Sequence, residues 1–423
     1  MSESDRSPSQ DDGGLKAFLG KFGWLLPFHT LHHVYLLALP PLFPLLRDSL
    51  VPSYTLLGLL RGVFSGGGFA IILAGRLADE IGEKTAIVLG FIMVPLFLLA
   101  CASAPSYLIL LLFVGGYGLA RCMYHPAGLS YLSKAVDSSV HGKAIGLHES
   151  VGSLGSGLAF ATLGWVGHTL GWRGALVVIA FPGLFLSMSY VLLNKKDLIE
   201  DFGKRREKSR SEKNTDQEEG IQNKDLHNRV FGVKQREKKP FWLQMAGKVT
   251  GDLGRQGFVV FLASFLTSVY GMSAGLAGGL IGLSYLGSFG GNLIGGNLAE
   301  MLGLVKTYVS FTLLGAAFML IIAVFNLPLY ALIPCLLLYF LSSATRNPAD
   351  KALLAERSHH QGRGAGYGSY FTFGRLGTFV SGPLFGVLIE TVGMRSTYLL
   401  APTLMALAAL IMSRISKYRV EHS

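Results

Sequence analysis

Charged residues are scarce in this sequence of 423 residues. Asp, Glu, Lys and Arg together make up 15% of the chain, whereas soluble domains carry about 25%. There are only three cysteines, Cys101, Cys122 and Cys335, and they lie at unrelated spacings in apolar segments. The low charge argues against an ordinary soluble domain. The cysteines argue against a disulfide framework or a structural metal site.

The sequence also lacks the signatures of enzymes and of nucleotide-driven pumps. It has no Walker loop, nucleophile elbow or zinc signature. Its first sixteen residues are mostly polar and do not read as a cleaved signal peptide. We therefore predict that the protein is not an enzyme and needs no cofactor and no metal. The net charge of +11 is interpreted as an orientation signal, so no nucleic acid partner is expected.

What the chain does have is long apolar runs, each near the roughly 20 residues that cross a bilayer as a helix. Helices are expected because an unpaired backbone group in lipid costs several kcal/mol. The sequence predicts an all-α integral membrane protein with twelve transmembrane helices in two six-helix bundles. The predicted segments are 21–46, 53–78, 85–103, 105–133, 143–167, 172–193, 241–270, 273–299, 305–325, 328–354, 365–389 and 395–414.

A charged stretch divides these segments into two sets of six. From Asn194 to Pro240 the chain holds fourteen Lys or Arg and ten Asp or Glu, which predicts a solvated, disordered linker. Short loops on the linker side carry most of the remaining Lys and Arg, so we expect the linker and both termini in the cytoplasm, with the chain in the cytoplasmic membrane. The predicted regions are a disordered tail at 1–16, bundles at 17–194 and 241–414, the linker at 195–240, and a cytoplasmic tail at 415–423.

The second half of the chain repeats the first at an offset of 221 or 222 residues. The repeated residues are mostly glycines, which suit positions where two backbones approach closely. Two similar hydrophobic halves favour a transporter with its binding site between them. Examples of repeated pairs are Gly58 with Gly279, Gly82 with Gly303, Pro126 with Pro348, Gly164 with Gly386, Gly171 with Gly393 and Arg173 with Arg395.

One of the repeated loops carries a recognisable motif. Residues 75–84 read Gly-Arg-Leu-Ala-Asp-Glu-Ile-Gly-Glu-Lys, which resembles the loop signature of the major facilitator superfamily. A degenerate copy, Gly-Asn-Leu-Ala-Glu-Met-Leu-Gly, stands at 296–303. The resemblance implies a monomeric secondary transporter for a small molecule that works by alternating access. Bonds from the acids could hold the cytoplasmic side shut in one state, although a plain tight turn is the alternative. The predicted gating residues are Gly75, Asp79, Gly82 and Glu300.

A second resemblance concerns the fourth segment. Residues 118–127, Gly-Leu-Ala-Arg-Cys-Met-Tyr-His-Pro-Ala, are similar to the corresponding stretch of fosmidomycin-resistance-type exporters, which carry a His-Pro pair after small residues. Those exporters commonly place an acid after the pair, whereas this chain has Ala127, and it has Arg121 among the small residues. The resemblance implies an antiporter for an amphiphilic drug.

Glu149 is the acid that the sequence places inside an apolar segment of the first half. A charged side chain at mid-membrane costs roughly 2.5–3.5 kcal/mol and usually faces a cavity. A carboxyl group in such a position can bind and release a proton, so we predict that Glu149 couples transport to protons. The alternatives are a permanent salt bridge to Arg121 or another cation, and a position at the lipid interface.

Several cations and imidazoles also lie in apolar segments, and they form the predicted substrate site. Arg121 and His125 share a helix face, and the repeat places Arg255 near His33. For His29, His32 and His33, three roles stay open: contact with substrate or protons, metal binding, and helix packing. For Arg255, a local ion pair with Asp252 is the alternative. Asp350 and Lys351 are interpreted as gate or loop contacts. The predicted substrate-binding residues are His29, His32, His33, Arg61, Arg121, His125, Arg255, Arg346, Asn347 and Arg375.

The balance of these charges points to the substrate. The five arginines in the apolar segments outnumber Glu149 and Asp252, and an excess of buried positive charge favours an anion. The sequence thus predicts a proton-coupled transporter for a small organic anion or an amphiphilic drug. The alternative is an uncoupled facilitator or anion exchanger in which Glu149 is structural, and a sensor with the same fold is a third.

Overall fold

The computed structural model describes residues 20, 22–136, 141–215, 238–357 and 363–418. Within these residues the regular secondary structure is helical and no strand occurs. The predicted all-α fold is confirmed. The helices of the first half are α1 Leu25–Leu36, α2 Phe43–Arg47, α3 Tyr54–Gly66, α4 Ile71–Ile81, α5 Glu83–Ser103, α6 Tyr107–Arg121, α7 Tyr124–Ala135 and α8 His141–Thr215.

The second half repeats this order. Its helices are α9 Lys238–Val260, α10 Leu262–Tyr270, α11 Ala274–Leu302, α12 Leu304–Val324, α13 Leu329–Arg357, α14 Arg363–Val392, α15 Met394–Tyr398 and α16 Leu400–Ser413. We call the face at which α8 ends and α9 begins the inner face, and the opposite one the outer face.

By length and composition alone, seven described helices can cross a membrane, or nine if two bent pairs each form one span. One of the seven, residues 146–199 within α8, holds two spans, because the backbone leaves helical geometry at Gly171. Two further predicted spans complete the twelve. Prolines interrupt the first, where α1 gives way to a 3₁₀ turn at Pro40–Leu42 before α2. The other is the glycine-rich α11.

The repeat seen in the sequence is also a repeat of backbone geometry. Gly82 and Gly303 have φ of 93° and 87°, and Gly171 and Gly393 have φ of 73° and 87°. Residues with a Cβ rarely adopt this conformation, which explains why glycine recurs at these four turns. Each turn ends one membrane-spanning segment and begins the next.

Two arginines show the same repeat in a side-chain role. Arg173 donates a hydrogen bond to the carbonyl oxygen of Ala104 at 2.9 Å, just after α5. Its counterpart, Arg395, donates to the carbonyl oxygen of Ala323 at 3.1 Å, at the end of α12. Helix C-termini carry unpaired carbonyls and partial negative charge, which a guanidinium satisfies. Both outer-face arginines are therefore helix caps.

The two bundles meet along two helix pairs, α3 with α14 and α8 with α11. A Cβ on Gly58 or Gly382 would overlap the backbone of the other, so these two helices approach closely because neither position has a side chain. Gly164 and Gly278 play the same part between α8 and α11. The contacts at Gly58 and Gly164 confirm the close backbone approach predicted for repeated glycines, whereas a Cβ on the repeated Gly279 or Gly296 would meet no atom within 4 Å.

Polar contacts close the outer end of the interface. The hydroxyl groups of Tyr54 and Ser268 lie 2.9 Å apart across the two bundles. Glu390 Oε2 accepts hydrogen bonds from the Ser53 hydroxyl at 3.0 Å and from the Thr55 amide at 3.1 Å. The outer ends are therefore packed together, and the cavity described below lies on their inner side.

Two details differ from the sequence predictions. The stretch predicted as a disordered linker from residue 195 is helical as far as Thr215, with a departure from helical angles at Asn194. Lys, Arg and Glu dominate this stretch and are good helix formers. Residues 216–237 and the predicted tail at 1–16 lie outside the described residues. The predicted fourth helix is interrupted at Cys122–Met123, where Pro126 cannot bond to its i−4 carbonyl.

Candidate substrate cavity

A polar cavity with two connected lobes lies between the bundles. The arginine lobe has a volume of about 240 Å³ and the hydroxyl lobe about 200 Å³. Leu36, Arg61, Lys248, Asp252, Arg255 and Gln256 line both. The remaining residues of the arginine lobe are Phe64, Ser65, Arg121, His125, Gly374, Arg375 and Thr378. Those of the hydroxyl lobe are His33, Leu37, Glu149, Ser153, Ser156, Val259, Tyr285, Ser288, Asn292, Tyr339, Phe340, Ser343, Ala344, Arg346 and Asn347.

In the arginine lobe two guanidinium groups flank one aromatic ring. The Cζ atoms of Arg61 and Arg121 lie 5.1 Å and 4.8 Å from the centre of the Phe64 ring. Arg61 also donates to the Leu36 carbonyl oxygen at 3.2 Å. Both side chains are buried, and the stacking orients two planar forks of the kind that bind carboxylate or phosphate.

The third cation of this lobe comes from the other bundle. Arg375 on α14 lies over Gly68, where any Cβ would overlap the guanidinium. Gly68 belongs to the 3₁₀ turn that bends α3 into α4. The absence of a side chain there therefore makes room for Arg375 next to Arg121. Among the described residues, neither these two arginines nor Arg61 forms a salt bridge with a carboxylate, and the Nε atoms of all three are buried without a partner.

The cations of the second bundle are, by contrast, mostly paired. Asp252 lies 2.9 Å from Lys248 Nζ and 3.6 Å from Arg255, so the predicted alternative of a local ion pair for Arg255 is present. Arg346 donates to the Tyr308 hydroxyl at 3.0 Å. Asp252 therefore offsets part of the positive charge of the second bundle, whereas the bond to Tyr308 positions Arg346 without neutralising it.

Asp350 belongs to the same polar network but does not reach the cavity lining. It accepts hydrogen bonds from Tyr370 and from Gln244, the latter at 3.0 Å. Asp350 is buried inside the second bundle and contacts helices rather than a loop, and its role in gating stays a prediction.

Glu149 is paired with Lys351 across the bundle interface. Its Oε2 lies 3.2 Å from Lys351 Nζ, and about one third of each side chain is exposed. Arg121, which was a predicted partner of Glu149, does not hold this position, because it stacks on Phe64 of α3 instead. The pair joins α8 to α13, about two helical turns after α8 begins at His141. It therefore links the bundles nearer the inner face, as the Tyr54–Ser268 contact links them at the outer face.

Five histidines form a cluster beside Glu149. His29 stacks on His148 with ring centres 3.4 Å apart, and the rings of His32 and His125 are 4.8 Å apart. His33 Nδ1 lies 3.1 Å from the Ser156 hydroxyl. Both nitrogens of His29 are buried and lack a hydrogen-bond partner in the described part of the chain. The described residues contain no group of three or more His, Cys, Asp or Glu that could hold a metal.

The hydroxyl lobe contains a chain of short polar side chains that crosses between bundles. Asn292 on α11 donates to the Ser153 hydroxyl on α8 at 2.9 Å, and Asn347 donates to Asn292 Oδ1 at 3.5 Å. Ser288 donates to the Phe340 carbonyl oxygen at 3.1 Å. Hydroxyl and amide groups of this kind keep further donor and acceptor capacity after these bonds.

The predicted gating residues lie apart from the cavity, at the inner face. Gly82 forms the positive-φ turn between α4 and α5, and Gly75 faces Pro126 of α7. Asp79 and Glu300 are exposed in this state. A different acid of the same loop is buried: Glu83 accepts a hydrogen bond from Ser130 at 2.9 Å and pairs with Lys134. The gating role of the four predicted residues remains a prediction.

The structure therefore brings most of the predicted substrate residues together around one cavity. Arg61, Arg121, His125 and Arg375 line the arginine lobe, while His33, Arg346 and Asn347 line the hydroxyl lobe. His29 and His32 are buried behind His33 rather than in the lining. The alternative of a salt bridge from Glu149 to a cation other than Arg121 is present, with Lys351 as the cation. The sequence predictions missed that identity, Lys248, and the serines and tyrosines of the hydroxyl lobe.

Comparison with known proteins gives one family. The family described as Major Facilitator Superfamily matches residues 30–250 and 245–421. The Probable L-galactonate transporter of Escherichia coli (strain K12) is 25% identical over 157 residues, 37% of this chain and 35% of that protein. The match thus spans about a third of the relative's length.

Solved structures share the fold over nearly the whole chain. A bacterial homolog of the human lysosomal transporter Spinster, in an inward-facing and occupied conformation, superposes with a TM-score of 0.72 at 16% identity, covering 96% of this chain and 98% of that one. A peptide transporter, POT, in complex with sulfate has a TM-score of 0.72 at 13% identity and covers 94% of both chains.

Proposed function

The chain belongs to the major facilitator superfamily, and from this premise we propose that it is a proton-coupled secondary transporter of a small organic anion. It is a multi-pass membrane transporter and not an enzyme. The observation that carries the proposal is the arginine lobe, where Arg61, Arg121 and Arg375 converge without any carboxylate partner among the described residues. Buried cations without counter-charge favour an anionic ligand.

The position of these arginines supports a link between binding and motion. Arg61 and Arg121 belong to the first bundle, whereas Arg375 belongs to the second. An anion held by all three attracts the two bundles to each other, so its binding energy favours a state closed around it. A ligand shifts a conformational equilibrium only through such differential contacts.

The Glu149–Lys351 pair supports proton coupling. It bridges the bundles on the inner side of the cavity, and protonation of Glu149 removes the charge that holds Lys351. A proton on Glu149 then loosens the inner side, while loss of the proton restores the bridge. The protonation state of one carboxylate thus connects proton occupancy to access from the inner face.

The curated relative adds support for the anion. L-galactonate, named for the Escherichia coli protein, is an organic anion. The same ion pair also favours a second candidate, an uncoupled facilitator or anion exchanger in which Glu149 only joins the bundles. In either case we place the protein in the cytoplasmic membrane with both termini in the cytoplasm, in accord with the Lys and Arg of the linker-side loops.

Reconstitution into liposomes with an imposed pH gradient tests the proposal. The panel contains gluconate, L-galactonate, a neutral sugar and a hydrophobic cationic drug, and an entrapped dye reports proton movement. We expect accumulation of one or both anions together with protons. Anion flux without proton movement would support the uncoupled candidate, and transport of the drug or the sugar alone would overturn the anion proposal.

A further inference from the structure

The two lobes of the cavity are copies of each other under the internal repeat. At the offset of 221 or 222 residues, five lining residues of the arginine lobe map onto lining residues of the hydroxyl lobe. The corresponding pairs are Phe64 with Tyr285, Arg121 with Ser343, His125 with Asn347, Arg375 with Ser153, and Thr378 with Ser156. At three of these five pairs the arginine lobe has an Arg or His where the hydroxyl lobe has a Ser or Asn.

The chemistry of the hydroxyl lobe selects against an apolar ligand. Ser153, Asn292 and Asn347 form a chain of hydrogen bonds along it, and each can still donate or accept. An apolar group placed there would strip water from these atoms without replacing its hydrogen bonds, which costs about 1–3 kcal/mol for each group left unpaired. A ligand hydroxyl, which both donates and accepts, meets this need.

The hydroxyl lobe also argues against a second anionic group. Two of its three arginines are already engaged, Arg255 with Asp252 at 3.6 Å and Arg346 with Tyr308 at 3.0 Å, and the third, Arg61, is shared with the arginine lobe. Glu149 lines this lobe and is paired with Lys351. A second carboxylate would therefore compete with carboxylates that are already present, whereas neutral hydroxyl groups would not.

Aromatic rings complete the lobe. Tyr285 and Phe340 have ring centres 4.3 Å apart, and Tyr339 follows at 4.9 Å from Phe340. These rings offer an apolar wall beside the polar chain of Ser153 and Asn292. A carbon chain that carries hydroxyl groups presents both kinds of surface, C–H and O–H, to such a site.

We propose that the substrate is a polyhydroxylated monocarboxylate of the aldonate type. Its carboxylate binds the arginine lobe and its hydroxylated chain extends into the hydroxyl lobe. This inference rests on the proposed function, because it specifies the anion that the arginine lobe accepts. Under the repeat, Arg121 and Arg375 of the arginine lobe correspond to Ser343 and Ser153 of the hydroxyl lobe, and His125 corresponds to Asn347.

Titration calorimetry on the purified full-length protein separates this inference from the broader proposal. Three probes are used. Gluconate carries a carboxylate and hydroxyl groups, hexanoate carries only the carboxylate, and sorbitol carries only hydroxyl groups. We expect gluconate to bind at least tenfold more tightly than either of the others. Hexanoate binding as tightly as gluconate would overturn the hydroxylated substrate but leave the anion transporter standing. Sorbitol binding as tightly as gluconate, or no binding of either anion, would overturn both.

Two variants assign the probe's ends to the lobes. Asn292→Leu, which keeps the side-chain size and removes the hydrogen bonds, should weaken gluconate about tenfold, whereas hexanoate should bind as tightly as to the wild type or more tightly. Arg375→Gln should weaken both anions. Because hexanoate binding reports an intact fold, an Asn292→Leu protein that binds both probes as the wild type does would refute the placement of the hydroxylated chain.

Discussion

The two bundles share a backbone repeat, but their cavity-facing cations differ in whether they have a partner. In the second bundle most cavity-facing cations have a partner: Lys248 and Arg255 share Asp252, and Arg346 bonds to Tyr308. In the first bundle Arg61 and Arg121 rest on an aromatic ring and have no carboxylate among the described residues. Unpaired charge is costly in such surroundings, and its presence here is the reason that we propose this surface as the anion site.

The comparison divides the work between the bundles. Paired charges in the second bundle fix side-chain positions, while Arg375 extends from it to join the two free arginines of the first. The histidine cluster also belongs to the first bundle, next to Glu149. In the proposed mechanism, the first bundle therefore holds two of the three anion-binding arginines and Glu149. The second bundle supplies Arg375, Lys351 and most of the hydroxyl lobe.

The largest expected effect comes from neutralising one arginine in each bundle, which tests the difference between paired and unpaired cations. Arg121→Gln should weaken anion binding about 100-fold, since losing one partner of a buried charge pair costs roughly 2–5 kcal/mol. Arg346→Gln should weaken it less and lower the thermal unfolding temperature more, because it leaves Tyr308 and the network around it unpaired. Calorimetry and thermal unfolding measure the two effects. Equal losses of binding would erase the distinction between the bundles.

As a second variant, Arg121→Lys keeps the charge but loses the planar fork. We expect binding between that of the wild type and that of Arg121→Gln. A Lys variant with wild-type affinity would show that charge alone matters at this position.

Removing the charge of Glu149 tests the coupling. Since one proton and one monocarboxylate together carry no net charge, the pH gradient drives accumulation, and a difference of one pH unit supplies about 1.4 kcal/mol, enough for a roughly tenfold concentration ratio. Glu149→Gln should lose this accumulation in proteoliposomes and keep downhill exchange. Glu356→Gln, at an exposed position near the inner end of α13, serves as the control. Unchanged uphill transport in Glu149→Gln would assign the pair with Lys351 a purely structural role.

The repeat offers a matched pair of glycines at the bundle interface. A methyl group on Gly58 would overlap the backbone of Gly382, whereas a methyl group on its counterpart Gly279 would meet no atom within 4 Å. Gly58→Ala should hinder closure of the outer ends and slow transport about tenfold, because the added methyl group overpacks this contact and destabilises the closed state. Gly279→Ala should transport at the wild-type rate. Equal rates for both variants would contradict the interface described here.

The smallest effects are expected at the turns. Gly82→Ala and Gly303→Ala place a Cβ at φ of 93° and 87°, which costs about 1–3 kcal/mol each. Thermal unfolding in detergent should show similar downward shifts for both. Gly296→Ala is the control, because Gly296 lies in open space on a helix, and its unfolding temperature should not fall. A lower unfolding temperature in only one of the two turn variants would show that the two repeated turns do not contribute equally to stability.

Much of the fold could be predicted because its signals are local. Apolar runs, the charged stretch and the repeated glycines each depend on a few neighbouring residues, and the structure confirms the helices they predicted. Gly171 shows the limit: the sequence placed a turn there, but only the structure shows that its positive φ is shared with Gly393.

The site was harder to predict because its contacts join distant helices. Arg121 and Glu149 are near in sequence, yet Glu149 pairs with Lys351, 202 residues away in the other bundle. The serines and Asn292 of the hydroxyl lobe gave no signal, since such side chains in apolar helices stand out only when their helices are placed together. The mapping of Arg375 onto Ser153 was present in the repeat, but it has meaning only once both line one cavity.

Distance measurements between paired spin labels test the central claim most directly, namely that the bundles close alternately around the anion. One pair, at Ser106 and Pro328, reports the outer ends, and another, at Glu80 and Met301, reports the inner ends. Each pair occupies equivalent positions of the repeat, in a background without Cys101, Cys122 and Cys335. On addition of gluconate with a change of pH, the account predicts that one distance grows while the other shrinks. Two distances that stay constant, or that change in the same direction, would contradict it.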